Sequence, residues 1–249
     1  MLSNRYLELK KAAEADLETC IRLIHPNRLL GAIHSEAINW CTKGEGSKKN
    51  HKLILLPRDH QKSAIFGAYY AVWQIIRNPA IKILYISSSS NLAVQQLKFI
   101  KDILTCDNFR LFWPELINID EAKREKWAET AISVDHPQRK AEYIRDPTIF
   151  AAGLTTSVVG MHPDLIIGDD LVVYDNAYTE EGRTKVSLQY SFLASVESVK
   201  GEQLLVGTRY DPNDLYNTAM NMKVTLRDEN GNIKSEDPLF SVFARPVES

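Results

Sequence analysis

The chain has 249 residues, 44% hydrophobic and 25% charged, with a formal net charge of -2. That length carries one large domain, or one with small appendages, around a sizeable core, and the composition excludes a disordered or fibrous protein. No global basic excess marks a nucleic-acid binder, so contact with nucleic-acid phosphates has to come from locally placed Lys and Arg.

The N-terminus has the charged, amphipathic character of a helix rather than of a signal peptide. Apolar residues at helical spacing (Leu9, Ala12, Ala13, Leu17, Ile21, Ile24) predict one helix over 7–24, stopped by Pro26. A second helix is expected over 35–41, followed by a loop over 42–50 that holds Gly44, Gly46, Lys48 and Lys49. A strand over 52–56 comes next, then the polar turn Pro57-Arg58-Asp59-His60-Gln61, and a helix from Ser63 to Arg77 that Asn78-Pro79 breaks. Its apolar stretch from Ala64 to Ile76 contains Gln74 and is too short to span a bilayer, so the reading is soluble and intracellular.

The run 81–87 is almost continuously apolar, as in a strand buried on both faces, and the serines at 88–90 with Asn91 suit the cap of a helix over 92–104. Strand, loop, helix, strand, helix is the pattern of βαβ units in a parallel sheet. Residues 107–148 are aromatic and charged with weak periodicity and define no element. Strands are then expected over 148–152, 164–168 and 202–207, and helices over 180–199 and 213–221. The tail carries a hairpin signal at Asp228-Glu229-Asn230-Gly231-Asn232. There is no internal repeat. Cys20, Cys41 and Cys106 form no CxxC pair and read as small buried hydrophobes in a reducing compartment.

Three segments carry chemistry. Strand 52–56, the turn and Lys62-Ser63 have the layout of a phosphate-binding loop. Backbone N–H groups, a helix N-terminus and Lys62 would hold nucleotide phosphates there, and Ser63 would ligate Mg²⁺. Both glycines of the usual G-x-x-x-x-G-K-[ST] pattern are missing, with Leu56 and Gln61 in their places. The plain alternative is an ordinary strand-to-helix turn. The second segment is the apolar strand 165–168 ending in Asp169-Asp170: Asp169 would hold Mg²⁺ and Asp170 would polarise the attacking water. An Asp-rich turn is its bland counterpart. The third is Leu204-Leu205-Val206-Gly207-Thr208-Arg209-Tyr210, where Thr208 either senses the γ-phosphate or merely leaves a strand. Two such motifs at the C-terminal ends of buried strands are far more specific together than either alone.

The order Pro-Arg-x-His-x-Lys-Ser, an apolar strand with Asp-Asp, then Val-Gly-Thr-Arg-Tyr resembles the ATPase half of the large terminase subunit of tailed bacteriophages, nearest to the short-tailed, T7-like group. The resemblance runs from about His34 to Tyr216, and its most persuasive part, 164–216, includes Thr179-Glu180-Glu181-Gly182-Arg183. It implies an α/β P-loop NTPase of the RecA-like, additional-strand catalytic-acid (ASCE) kind, with a mainly parallel central sheet flanked by helices. It also implies an ATP-driven motor that pumps double-stranded DNA into a procapsid in the host cytoplasm.

On that resemblance ATP and Mg²⁺ are the cofactors. Asp170, Arg58, Lys62 and Thr208 are catalytic, with Arg58 touching the γ-phosphate. Pro57, Arg58, Asp59, His60, Gln61, Lys62, Ser63 and His34 bind nucleotide, and Ser63 and Asp169 bind the metal. The portal protein and the small terminase subunit are the expected partners, in a homo-oligomeric (pentameric) ring when assembled and a monomer in isolation. A neighbouring subunit would supply an arginine, with Arg139, Arg145, Arg183 and Arg209 as candidates. The expected division is an N-terminal helical segment, 1–50, contributing to the adenine pocket, an ATPase core over 51–222 and a lid or linker hairpin over 223–249. No nuclease domain is expected, which reads as an isolated motor domain.

Asp59 places a carboxylate near the phosphates, so weak nucleotide affinity is expected in the isolated chain. Lys43, Lys48, Lys49 and Lys52 form one basic cluster and Lys123, Arg124 and Lys126 another; solvated, balanced faces are the better reading of both. The rivals are another P-loop DNA translocase or helicase, and a degenerate P-loop module that binds DNA or portal without hydrolysing ATP.

Overall fold

Ten strands and ten α-helices make up the computed structural model, which describes residues 4–198, 200–227 and 232–245. The strands are β1 (His51–Leu55), β2 (Ile83–Ser87), β3 (Lys126–Trp127), β4 (Ala131–Ser133), β5 (Ile149–Gly153), β6 (Leu165–Asp169), β7 (Glu202–Gly207), β8 (Lys223–Arg227), β9 (Ile233–Pro238) and β10 (Phe240–Ala244). Eight of them form one sheet in the order β10-β1-β7-β6-β2-β5-β4-β3. Pairings from β10 through β5 are parallel, and β4 and β3 close the far edge antiparallel. The loop-bearing strand β1 and the acid-bearing strand β6 are thus separated by β7, the additional strand expected of this P-loop class.

Both faces of the sheet are buried, which is why its strands read as apolar runs rather than alternating ones. Successive side chains point to opposite faces. Ile54, Tyr85, Ile167 and Val206 enter one core layer, and Leu53, Leu84, Ile166 and Leu205 the other. The first layer is covered by α1 (Asn4–Ala15), α2 (Leu17–Ile24), α3 (Ala32–Thr42), α4 (Tyr70–Arg77), α5 (Ser90–Thr105) and α6 (Asp107–Phe112). Beyond the short α7 (Pro137–Ala141), the second is covered by α8 (Tyr174–Ala177), α9 (Glu180–Ser195) and α10 (Leu215–Asn221).

Several expectations need correction. The helix over 7–24 is two helices, because Asp16 takes extended backbone and caps α2, accepting from Thr19 N at 2.8 Å and Thr19 Oγ1 at 2.6 Å. The helix after the loop starts with a π-helical stretch, Ser63–Tyr69, before becoming α4. Gly67 lies inside it, and a Cβ there would sit 2.3 Å from the Tyr85 hydroxyl. Residues 107–148 supply α6, α7 and the antiparallel edge. The hairpin strands are present as β8 and β9, while 228–231 of its expected turn lie outside the described residues. The tail is not wholly a lid or linker, however. Phe240–Ala244 pairs in parallel with all of β1, a non-local partnership that no local pattern announces.

Candidate active site

Leu56 N donates to Gly207 O at 3.2 Å and Thr208 Oγ1 to Leu56 O at 3.0 Å, so the start of the loop is tied to the exit of β7. Asp59 and Gln61 then take left-handed backbone, at φ 64° and 49°. Gln61 stands where the usual pattern has glycine, and the backbone makes the turn a glycine would make. Lys62 returns to right-handed helical angles and heads the π-helical stretch. His60 donates from Nδ1 to Arg58 O at 2.8 Å, and Gln61 Nε2 donates to Leu29 O at 2.9 Å. Lys62 is only 8% exposed and holds its Nζ 3.6 Å from Asp170 Oδ1.

Asp169 ends β6 at 3% exposure. Its Oδ2 accepts from the Tyr85 hydroxyl at 2.9 Å, while its buried Oδ1 has no hydrogen-bond partner. Burial, with repulsion from Asp170, pushes its carboxyl up to about 6, against the pull of Ser63, Tyr85 and Lys62. Asp170 turns into left-handed backbone at φ 45° and donates its N–H to Val206 O at 2.9 Å. Burial raises its carboxyl too, opposed by Lys62 and Arg58.

A buried carboxylate with an orphaned oxygen, next to a partly exposed second one, is a poor arrangement unless a cation joins them. Ser63 beside Asp169 completes a hard-oxygen set suited to Mg²⁺. Among the described residues no group of three or more His, Cys, Asp or Glu would hold a metal alone.

Asp170 and the loop face a cleft of ≈ 470 Å³ lined by Arg58, Asp59, Lys62, Asp170, Tyr174 and Tyr210, among others. Arg58 rests on Tyr210, donating to its hydroxyl from Nη2 at 2.6 Å and lying 5.4 Å from the ring centre. Pro57 and Thr208 line a neighbouring pocket with Leu55, Leu56 and Arg245. His34 sits behind the loop, with its ring 6.4 Å from that of His60 and its Nδ1 accepting from Gly31 N at 2.9 Å. Its Nε2 is buried without a partner, and burial lowers the imidazole below its ordinary value. The structure therefore brings Arg58, Asp59, Lys62 and Asp170 to one cleft, leaves Pro57 and Thr208 on the neighbouring pocket, and packs His34 beside His60 of the loop.

Two residues escaped the sequence reading. Tyr85 was hidden in an apolar strand, although a tyrosine in a fully buried run has to find a partner for its hydroxyl. Tyr210 stood beside Thr208 with nothing to mark it as the seat of Arg58. Among the candidate trans-acting arginines, Arg139 is buried and donates to the carbonyls of Pro79, Ile81 and Asp146. Arg183 is engaged by Ala177 O and Asp211, whereas Arg145 and Arg209 are exposed. The basic clusters resolve mostly into local contacts. Lys43 pairs with Asp16, Lys48 with Glu45 and Lys52 with Glu202; Lys123 pairs with Asp120 and Arg124 with Glu121. Cys20 and Cys41 are buried free thiols, as expected, and Cys106 is half-buried. Among the described residues no helix is long and apolar enough to cross a membrane.

No family model matches the chain. Over 171 residues, 67% of the chain, it is 30% identical to the terminase large subunit of Enterobacteria phage T3. It spans 27% of that protein's length. The ATPase domain of the large terminase of Thermus phage P74-26, solved as a mutant, superposes with a TM-score of 0.46 at 13% identity, covering 91% of this chain and 84% of that one. The resemblance to the phage large terminase subunit is borne out by the sequence relative.

Proposed function

From that kinship and the cleft, we propose that the chain is the ATP-hydrolysing motor domain of a phage terminase, which moves double-stranded DNA into a procapsid in the host cytoplasm. It would work in a homo-oligomeric, pentameric ring with the portal protein and the small terminase subunit. The observation that carries the reading is the convergence of Lys62, Ser63, Asp169 and Asp170 at the C-terminal ends of β1 and β6, across β7, where open parallel sheets bind ligands.

In the chemistry this arrangement supports, ATP phosphates lie along the loop N–H groups and draw Lys62 away from Asp170. Asp170, released from its ion pair and raised in proton affinity by burial, then orients water and accepts its proton. Ser63 and Asp169 Oδ1 would hold Mg²⁺, which when bound neutralises charge on the β- and γ-phosphates. Arg58 exchanges Tyr210 for the γ-phosphate. Thr208, bonded to Leu56 O, passes the change at the loop to the exit of β7. Residues 1–50 flank the nucleotide, and β8–β9 serves as the lid or linker.

Phosphate release by the purified chain, with and without DNA, tests this. Lys62→Ala and Asp170→Asn should each lower turnover about 10²-fold or more. A parent chain with no turnover at any concentration overturns the motor reading for this chain. Asp59, whose carboxylate lines the cleft, favours the rival of a non-hydrolysing module. Nucleotide binding without any turnover, in the presence of DNA and portal, would establish that rival.

A further inference from the structure

The two left-handed residues of the loop are not equivalent. Asp59 is of a type that tolerates φ > 0, because its short polar side chain bonds locally. Gln61 is not, and at φ 49° it has to be held by its surroundings. What holds it is visible: its Nε2 donates at 2.9 Å to the carbonyl of Leu29, in the connection between α2 and α3. Its own carbonyl accepts from Ile65 N at 2.9 Å, fixing the residue to the first π-helical turn. Behind the same loop the connection continues into Gly31 and His34, whose ring meets His60. The Leu29 side chain is 84% exposed and contributes nothing to this contact, so the recognition is by backbone alone.

We infer that Gln61 is a positioning residue: its side chain braces the glycine-free loop against the Leu29 carbonyl and keeps the loop N–H groups aimed at phosphate. The α2–α3 connection at Leu29 and the first turn of α3 are then part of the phosphate site. A glycine would need no brace, which accounts for the pairing of a missing glycine with an amide long enough to reach Leu29. This deepens the nucleotide-binding reading above and rests on it only for the ligand.

Two readouts test it in the parent, Gln61→Met and Gln61→Gly: hydrogen exchange of the 58–65 amides without nucleotide, and mant-ADP affinity with Mg²⁺. Met keeps the length and loses the donor; Gly loses both but adopts φ > 0 freely. Met should speed exchange in the loop and weaken mant-ADP on the order of tenfold. Gly should bind mant-ADP several-fold more tightly than Met. A Met variant indistinguishable from the parent in exchange overturns the brace. So does a Gly variant as weak as Met, which would make the side chain a ligand contact. If the parent and Lys62→Ala bind mant-ADP alike, the nucleotide reading fails instead, and the exchange data still decide the brace.

Discussion

At the residue scale the site hangs on a chain of small fits. A Cβ on Gly67 would lie 2.3 Å from the Tyr85 hydroxyl, which in turn donates to Asp169. Tyr85→Phe removes a buried bond to a carboxylate and is expected to cost about 1.5–3 kcal/mol. Gly67→Ala drives the same hydroxyl off Asp169. Much of its clash disappears in Phe, although the ring carbon bearing the hydroxyl would still lie 3.3 Å away. The double variant should therefore be clearly less destabilised than the sum of the singles, measured by urea denaturation. Strict additivity would mean that the two do not meet. Lys62, Ser63, Asp169 and Asp170 were legible because their chemistry is written in residue type at strand ends. Tyr85 and the Leu29 carbonyl were not: one needed its neighbour on the adjacent strand β6, and the other is a backbone atom with no sequence signature.

Among elements, the break between α1 and α2 shows how a cap overrides periodicity. The apolar spacing runs straight through 16, but the Asp16 side chain bonds Thr19 and pairs with Lys43 at 2.5 Å. Asp16→Ala should cost about 1 kcal/mol for the cap, with little more for the half-exposed ion pair. Burial opposes ionisation of Asp16, yet the bonds from Lys43 and Thr19 outweigh it and hold the carboxyl below its ordinary 3.8. Glu197 behaves alike: bonds from His51 and Gln203 overcome burial and keep it below 4.5. A depressed folded pKa means that the stability is complete above the ordinary value and is lost as pH falls through the folded one. Denaturation midpoints measured downward from pH 6 should therefore fall less steeply below pH 4.5 in Asp16→Asn and Glu197→Gln than in the parent. Parallel curves would remove these carboxylates as the cause. Element types were mostly legible from period and punctuation, whereas β10 was not, because its short half-exposed pattern has meaning only beside β1.

For the whole molecule, the parallel sheet followed from buried apolar runs, but strand order did not. Nothing in β7 says that it inserts between β1 and β6. That insertion makes the site a joint of the core. Val206 O accepts the N–H of Asp170 and the hydroxyl of the buried Tyr216, which reaches across from α10. A ligand gripping the loop and the acids thus clamps three adjacent core strands, and its binding should appear as global stability. At nucleotide and Mg²⁺ concentrations of about 100 Kd the linkage gain is roughly 2.7 kcal/mol. For a domain of this size that corresponds to a rise in Tm of about 5–10 °C. Lys62→Ala should lose most of the shift, and so should the parent when EDTA removes the metal. An equal shift in Lys62→Ala would place the nucleotide elsewhere on the protein, and a shift unchanged by EDTA would separate Asp169 and Ser63 from the metal.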